Sequence, residues 1–545
     1  MKKMRTWIFA AVLSVLTVFF SSFLRAAEAI PHLKKKGDAA QLIVNGKPFL
    51  MLAGELQNSS SSSLEYMETV VWPKLQKLNL NTVLLPITWE QFEPQEGKFD
   101  YTLVDGLIKQ ARQNKMKLVF LWFASWKNSV STYTPEWVKR DTVRFPRARG
   151  ADNRNVKPVL ATISPANRDA DAKAFAALMH RIREIDAGEN TVIMMQIENE
   201  VGIRPELRDM SEESDKQFAS PVPKELMKYL AEHRDKLHPE LLQRWEKGGF
   251  KTTGSWSDVF GGSPGADEVY SVWFQARYMN AVAAAGKKEY ALPMFVNAWL
   301  ADKPCSGSYP SGGPVAHMLD VWKAAAPAID CLAPDIYFPD FKGVCESYSR
   351  NGNFLMVPEA SRDESAAARA YWVFGKHHGI CFSPFGIECS PEDHPLVDAY
   401  ALLQQSIPLI TGVQGTKRLT ACYQQDDAVK EEVVPLGDWK LNVKYTHHCL
   451  QKNARPAALI VQGGKDEFYI IGQGCEVRFE AGTAGPRYCE IISVEMGRFE
   501  KNVFITELRL NGDETDSNNC ARVPTNIFLD TSKPRILRVR VHRHD

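Results

Sequence analysis

From about residue 41 onward, short apolar runs alternate with longer amphipathic stretches. Eight of the runs read as strands: Phe49–Glu55, Thr82–Thr88, Leu118–Phe123, Val192–Glu198, Pro293–Trp299, Ile329–Tyr337, Phe354–Glu359 and Gly379–Phe385. Their near-continuous apolar character predicts strands covered on both faces, as in a parallel sheet. Helical periods lie between them. Leu64, Met67, Val71, Leu75 and Leu78 recur at helical spacing behind an expected capping box at Ser62 and Glu65, and Tyr101–Gln113 and Asp171–Ile185 behave similarly. Eight strand-then-helix units in about 350 residues predict a (β/α)8 TIM-type barrel with insertions. A doubly wound open sheet is the alternative, but no Gly-rich phosphate turn follows the first strand.

The largest expected insertion follows the fourth strand, over about residues 203–290. It is charged and carries Trp245, Trp256 and Trp273, which predicts extra helices over one face of the barrel. The serine run Ser59–Ser63 has a linker composition, but a strand ends before it and a helix starts after it, so a structured loop is expected. From about Leu419 the texture changes to short alternating segments, among them Ala457–Val461, Glu467–Ile471 and Val503–Leu510. In Ile536–Val541, Leu537, Val539 and Val541 face one way and Arg538 and Arg540 the other. This predicts a barrel over residues 30–418 followed by an antiparallel β-sandwich over residues 419–545.

Charge and leader segment change the picture little but narrow the setting. Lys2, Lys3 and Arg5, an apolar run from Trp7 to Phe20 and Ala27-Glu28-Ala29 form a secretory signal pattern over residues 1–29, so export to the periplasm or beyond is expected. Without it 62 basic and 64 acidic residues are left, a net charge of −2. Such a balance gives no footprint for nucleic acid, and no later apolar run is long enough to span a bilayer. Ten Cys occur, all from Cys305 onward; export permits bridges among them but does not require them.

Active sites of barrels form where strands end on the C-terminal face, so acidic residues there are the first candidates. The fourth strand ends in Glu198-Asn199-Glu200 and the seventh in Glu359. Strand alternation would send Glu198 and Glu200 to one side and Asn199 to the other. Two partly desolvated carboxyls facing each other are what glycoside hydrolysis needs: one donates a proton to the leaving oxygen and the other attacks the anomeric carbon.

These residues carry a resemblance. Asn199-Glu200 and Glu359 resemble the catalytic ends of strands 4 and 7 in the retaining (β/α)8 glycosidases of clan A. Gln196-Ile-Glu-Asn-Glu-Val-Gly202 resembles the motif of the glycoside hydrolase family 35 β-galactosidases, and the segment from Trp89 through Glu93, Pro94 and Gly97 to Asp100 is similar to a second motif of that family. The resemblance runs from about Gln41 into a C-terminal domain like the β-sandwich of a bacterial branch. It implies Glu200 as acid/base, Glu359 as nucleophile, Asn199 as the partner of the sugar 2-hydroxyl and Tyr337 as a residue orienting Glu359. The sequence departs from the family at Ser125, where a Glu that holds galactose hydroxyls is usual, and at Pro86, near a usual Tyr.

Trp89, Trp126 and Trp299, together with Trp122, fall at or beyond strand ends and are candidate walls for stacking on sugar C–H faces. Asn297, Asn128 and Asn58 are candidate hydroxyl partners. No metal or cofactor is expected: His377-His378 and His447-His448 are adjacent rather than at ligand spacing. The expectation is a retaining, exo-acting β-galactosidase that clips terminal sugars from plant-type oligo- or polysaccharides, its partner being the carbohydrate substrate. The alternatives are another clan A specificity (β-glucosidase, arabinosidase or endo-glucanase) and a non-catalytic carbohydrate-binding barrel.

Overall fold

A computed structural model describes residues 29–545 apart from 153, 303–304, 306, 448–449, 451–453, 482–485, 487, 512–513, 517–519 and 524–532. The expected signal segment, up to residue 28, and His448 of the His447-His448 pair lie outside the described residues.

Eight parallel strands close into a barrel: β1 (Met51–Glu55), β2 (Thr82–Thr88), β3 (Lys117–Lys127), β4 (Val192–Asn199), β5 (Met294–Trp299), β6 (Cys331–Ile336), β7 (Val357–Ala360) and β8 (Cys381–Pro384). Each expected strand is present, with ends shifted by a few residues. The open-sheet alternative is excluded, because β8 pairs with β1.

The interior of the barrel is graded. Its lower rungs are apolar: Met51 and Ala53, Val119 and Leu121, Phe295, Cys331 and Ala333, Met356 and Cys381 pack as one cluster. Period-two alternation along the same strands brings Glu55, Asn297, Asp335 and Ser383 to the top rung. The foot is closed by a small antiparallel sheet, His32–Lys36, Ala39–Val44 and Lys47–Phe49, whose Leu42 and Val44 join the inner cluster. This plug was not expected. Phe49 belongs to it rather than to β1 because Leu50 breaks the run between the two sheets.

The serine run is a structured loop. Ser60 Oγ donates to Glu388 and Ser61 Oγ to the Pro86 carbonyl. The following helix is capped by Ser63, not Ser62, since the Ser63 hydroxyl accepts from the Tyr66 N–H. Between β3 and β4 runs α1 (Pro165–Asp186), and the long insertion after β4 folds into five helices that end in α2 (Gly265–Glu289). Trp245, Trp256 and Trp273 are buried there, in the same core as the barrel.

α3 (Ala366–Gly375) connects β7 to β8, and α4 (Pro395–Val413) follows β8 and leads into two antiparallel sheets of six and five strands. Leu537, Val539 and Val541 bury against Leu441, Val443 and Val477 of the opposing sheet, as the alternation predicts. The other face of the six-stranded sheet (Leu459, Val461, Ile471, Ile536) packs into the main core with α3 and α4. A sheet buried on both faces ties the sandwich to the barrel. The eight Cys whose side chains are described are free thiols, six of them buried.

Candidate active site

β4 does not keep its alternation to the end. Glu198 (φ 58°) and Glu200 (φ 48°) both adopt the left-handed conformation, a costly choice for side chains with a Cβ. Glu198 therefore turns under the end of β3 instead of joining Glu200. Its carboxylate accepts three backbone N–H bonds, from Ala124 (3.0 Å), Ser125 (3.0 Å) and Trp126 (2.8 Å). Beside it on α1 lies Asp171, which accepts from Trp122 Nε1 (2.9 Å) and Ser125 Oγ (2.6 Å). Both carboxyls are fully buried, and burial pushes both pKa values up. Together they brace the bulged end of β3.

Asn199 and Glu200 turn to the barrel mouth. The hub there is Asn297 on β5. Its Oδ1 accepts the Glu200 backbone N–H (2.9 Å), while its Nδ2 donates to Asn199 Oδ1 (3.1 Å) and to Asp335 Oδ2 (2.7 Å). Asn199 Oδ1 also accepts from Gln196 Nε2 (3.0 Å), and Asn199 Nδ2 has no partner. From β7, Glu359 accepts the Tyr337 hydroxyl on Oε1 (2.5 Å), and its Oε2 is buried without a partner. Carboxylate oxygens of Glu200, Asp335 and Glu359 all lie within 4.8 Å of one another. Among the described residues this trio is also the grouping close enough to hold a cation.

The charges there are unequal. Burial, and then the nearby Glu359 carboxylate, raise the Glu200 pKa to about 7, against the pull of Lys127 and Asp335. Asp335 is fully buried, and burial followed by Glu359 and Glu200 raises its pKa well above the usual carboxylate range. Glu55, at the end of β1, is raised in the same way by burial and by Glu359. Lys127 is the cation that offsets all three.

The structure thus brings Glu200, Glu359, Asn199, Tyr337 and Asn297 together. Asn297 cannot serve as a free hydroxyl partner, however, because its amide is committed to neighbouring side chains and backbone. Trp89 and Trp126 are not subsite walls. Trp89 is fully buried, donating from Nε1 to Glu93 (2.8 Å) with its ring edge-on to Trp137, and Trp126 is fully buried against Tyr278 (4.8 Å between centroids). Trp122 is likewise buried behind the barrel on Asp171. These strand-end indoles point outward into the helix layer, where their apolar area is covered. Ser125 also points outward to Asp171 and Tyr278, so its position says little about sugar contacts. Trp299 is partly exposed, with the Arg204 guanidinium 4.6 Å over its ring. Asn128 is exposed at the rim, and Asn58 is half-buried with its Oδ1 unpartnered.

Sequence reasoning missed Glu55 and Asp335. The signal was present in the inward positions 51, 53, 55 and 331, 333, 335, where two apolar side chains are followed by a carboxyl.

Comparison with known proteins adds a family-level likeness. Residues 69–260 match the family model described as "Beta-galactosidase", that of glycoside hydrolase family 42, and residues 396–522 match a domain of unknown function, DUF5597. No curated protein matches the sequence. Similar solved structures include the β-galactosidase of Rahnella sp. R3 (14% identity, TM-score 0.46), covering 71% of this chain and 59% of that one. The catalytic domain of a β-amylase from Paenibacillus polymyxa shows 10% identity and a TM-score of 0.42, over 63% of this chain and 94% of that one. The β-galactosidase of the psychrophilic Marinomonas ef1 shows 12% identity and a TM-score of 0.42, over 67% and 60%. The chain thus spans about three fifths of the length of the two β-galactosidases. Family 35, to which the motifs at Gln196–Gly202 and Trp89–Asp100 pointed, is not supported; the match is to family 42, and it spans Glu200 but ends before Glu359. Over residues 69–260, about a third of its length, the chain is similar to the β-galactosidase domain of glycoside hydrolase family 42.

Proposed function

We propose that the chain is a retaining, exo-acting β-glycosidase with β-galactosidase-type specificity, releasing terminal sugars from oligo- or polysaccharides. Glu200 is the acid/base and Glu359 the nucleophile. The observation that carries this reading is the proximity of the two carboxyls. One carboxyl oxygen of each lies within 4.8 Å of the other. Retaining enzymes place the pair about 5–5.5 Å apart, whereas inverting ones leave about 6.5–9.5 Å for a water between them.

The electrostatics suit the same roles. With its pKa near 7, Glu200 keeps a proton at neutral pH and can give it to the leaving oxygen as Glu359 attacks the anomeric carbon. Loss of that proton leaves Glu200 as the base that activates water for the second displacement. Tyr337 donates to Glu359 Oε1, which fixes the carboxylate while its unpartnered Oε2 is left for attack. Asn199 Nδ2, a buried donor without a partner, is placed to meet the sugar 2-hydroxyl.

Proton NMR of the first product from a nitrophenyl β-galactoside tests the stereochemistry. Initial release of the β-anomer is expected, and initial release of the α-anomer would overturn the retaining scheme. In a panel of nitrophenyl glycosides, cleavage of the glucoside alone would overturn the galactoside specificity. We also infer export from the residue 1–29 pattern: the mature N-terminus should be Ile30, and recovery of the protein inside the cell with Met1–Ala29 intact would contradict it.

A further inference from the structure

Polar atoms buried without protein partners outline what a site waits for, because each costs free energy until a ligand or water satisfies it. Around the barrel mouth most such atoms are acceptors: Glu55 Oε1, Asn58 Oδ1, Asp335 Oδ1, Glu359 Oε2 and Glu388 Oε2. Asn199 Nδ2 is a donor, and it stands beside the catalytic pair. The roles proposed above account for Glu359 and Asn199. They leave the β1 side unexplained.

Glu55 is the strongest case there. It follows Met51 and Ala53 on the inward face of β1, pairs in register with Leu84 and bridges to Phe385 beyond β8. It is only 1% exposed, yet its Oε1 is buried with no partner. Glu359, Lys127, Glu200 and Glu388 are the charges that act on it, so its carboxyl looks across the mouth at the catalytic pair. Nor does it brace the fold as Glu198 does. Glu388 differs in having one oxygen occupied: its Oε1 accepts from the Gln57 N–H (2.9 Å) and Ser60 Oγ (2.6 Å), which holds the loop after β1 in place.

We propose that Glu55, supported by Glu388, is a specificity-determining residue that accepts hydrogen bonds from glycone hydroxyls remote from the anomeric carbon. It thereby selects a neutral, hydroxyl-rich ring and excludes a hexuronate. This inference rests on the glycosidase reading above. A wall of acceptors needs donors from the ligand, and sugar hydroxyls supply them. A carboxylate on the substrate would instead be desolvated beside Glu359 and would set acceptors against the unpartnered oxygens of Glu55 and Asp335, with Lys127 as the offsetting cation.

The test is a coupling measurement between Glu55 and individual hydroxyls. kcat/KM is measured for nitrophenyl β-galactoside, its 3-, 4- and 6-deoxy analogues and the corresponding galacturonide, with wild type, Glu55→Ala and the isosteric Glu55→Gln. Thermal unfolding establishes that each variant is folded. Wild type should lose on the order of 10–100-fold for at least one deoxy analogue, the cost of leaving a buried polar group without its partner. That loss should shrink to about twofold or less in Glu55→Ala and lie in between for Glu55→Gln. If only Glu55→Gln folds, a reduced penalty at one position supports the inference on its own. Deoxy penalties identical to wild type in any folded variant, or galacturonide turnover equal to galactoside turnover, would overturn it while leaving the hydrolase intact. Absence of turnover of any glycoside by wild type would overturn the hydrolase reading and this inference together.

Discussion

Glu200 is destabilising where it stands. Its folded pKa is about 7 against an ordinary 4.5, so below pH 4.5 it is protonated in both folded and unfolded chains and has no effect. As pH rises through 7 the unfolded chain has already released the proton that the folded chain must give up at a cost. Stability is therefore lost between those values, by about 3 kcal/mol. Glu200→Gln should unfold at a higher temperature than wild type at pH 8 and at the same temperature at pH 4; equal unfolding temperatures at both would contradict the burial account. The same titration bears on activity, because the first step needs the protonated acid. kcat/KM should fall about tenfold per pH unit above 7. Tyr337→Phe removes the hydroxyl bonded to Glu359, so kcat should drop on the order of 10–100-fold with little change in unfolding temperature. At this scale a motif pointed to Asn199-Glu200 and a lone carboxyl closing an apolar run pointed to Glu359, and the structure places them all at the barrel mouth. Asp335 and Glu55 were passed over because one acidic residue in a run carries no pattern until the inward face is known.

Among the elements, the end of β3 shows how local geometry overrides strand periodicity. Ala124, Ser125 and Trp126 turn their N–H groups to a single carboxylate, Glu198, which is why β4 leaves the extended conformation just before Glu200. Alternation placed Glu198 beside Glu200; two left-handed residues put it underneath instead. Removing it orphans three buried donors. Glu198→Ala should cost on the order of 3–5 kcal/mol in urea unfolding and abolish activity, whereas an effect within 1 kcal/mol would show that the clamp is idle. The Glu-Pro-x-x-Gly segment after β2 has a similar structural meaning. Glu93 accepts from Trp89 Nε1 (2.8 Å) and the Gly97 N–H (2.7 Å), and Gly97 sits at φ 75°. That segment suggested family 35, which the comparison does not support; what it does is hold a turn, and this explains why its Trp89 lies in the core rather than against sugar.

Across the whole molecule, eight strand-helix units and the change to alternating segments near Leu419 were visible in the sequence, because each follows from periodicity. The plug under the barrel was not. Its strands are short and charged on one side, and only the pairing of Ala39–Val44 with both neighbours reveals its role. The tie between barrel and sandwich was equally hidden, since it depends on which face of the six-stranded sheet meets α3 and α4. Leu459, Val461, Ile471 and Ile536 fill that contact, so a chain cut after residue 418 would expose the helices that cover them. Such a truncation should be insoluble or unfold well below the full chain, and a soluble fragment with undiminished stability would contradict an integral sandwich.

The central claim is that Glu359 attacks the anomeric carbon while Glu200 handles the proton. Trapping with an activated 2-deoxy-2-fluoro β-galactoside tests it most directly, since a slowed second step accumulates the covalent intermediate. Peptide mass spectrometry should find the fluorosugar on Glu359, and Glu200→Ala should still be labelled when the leaving group needs no protonation. A fluorosugar on any other residue, or no adduct under conditions where the parent substrate turns over, would contradict the account.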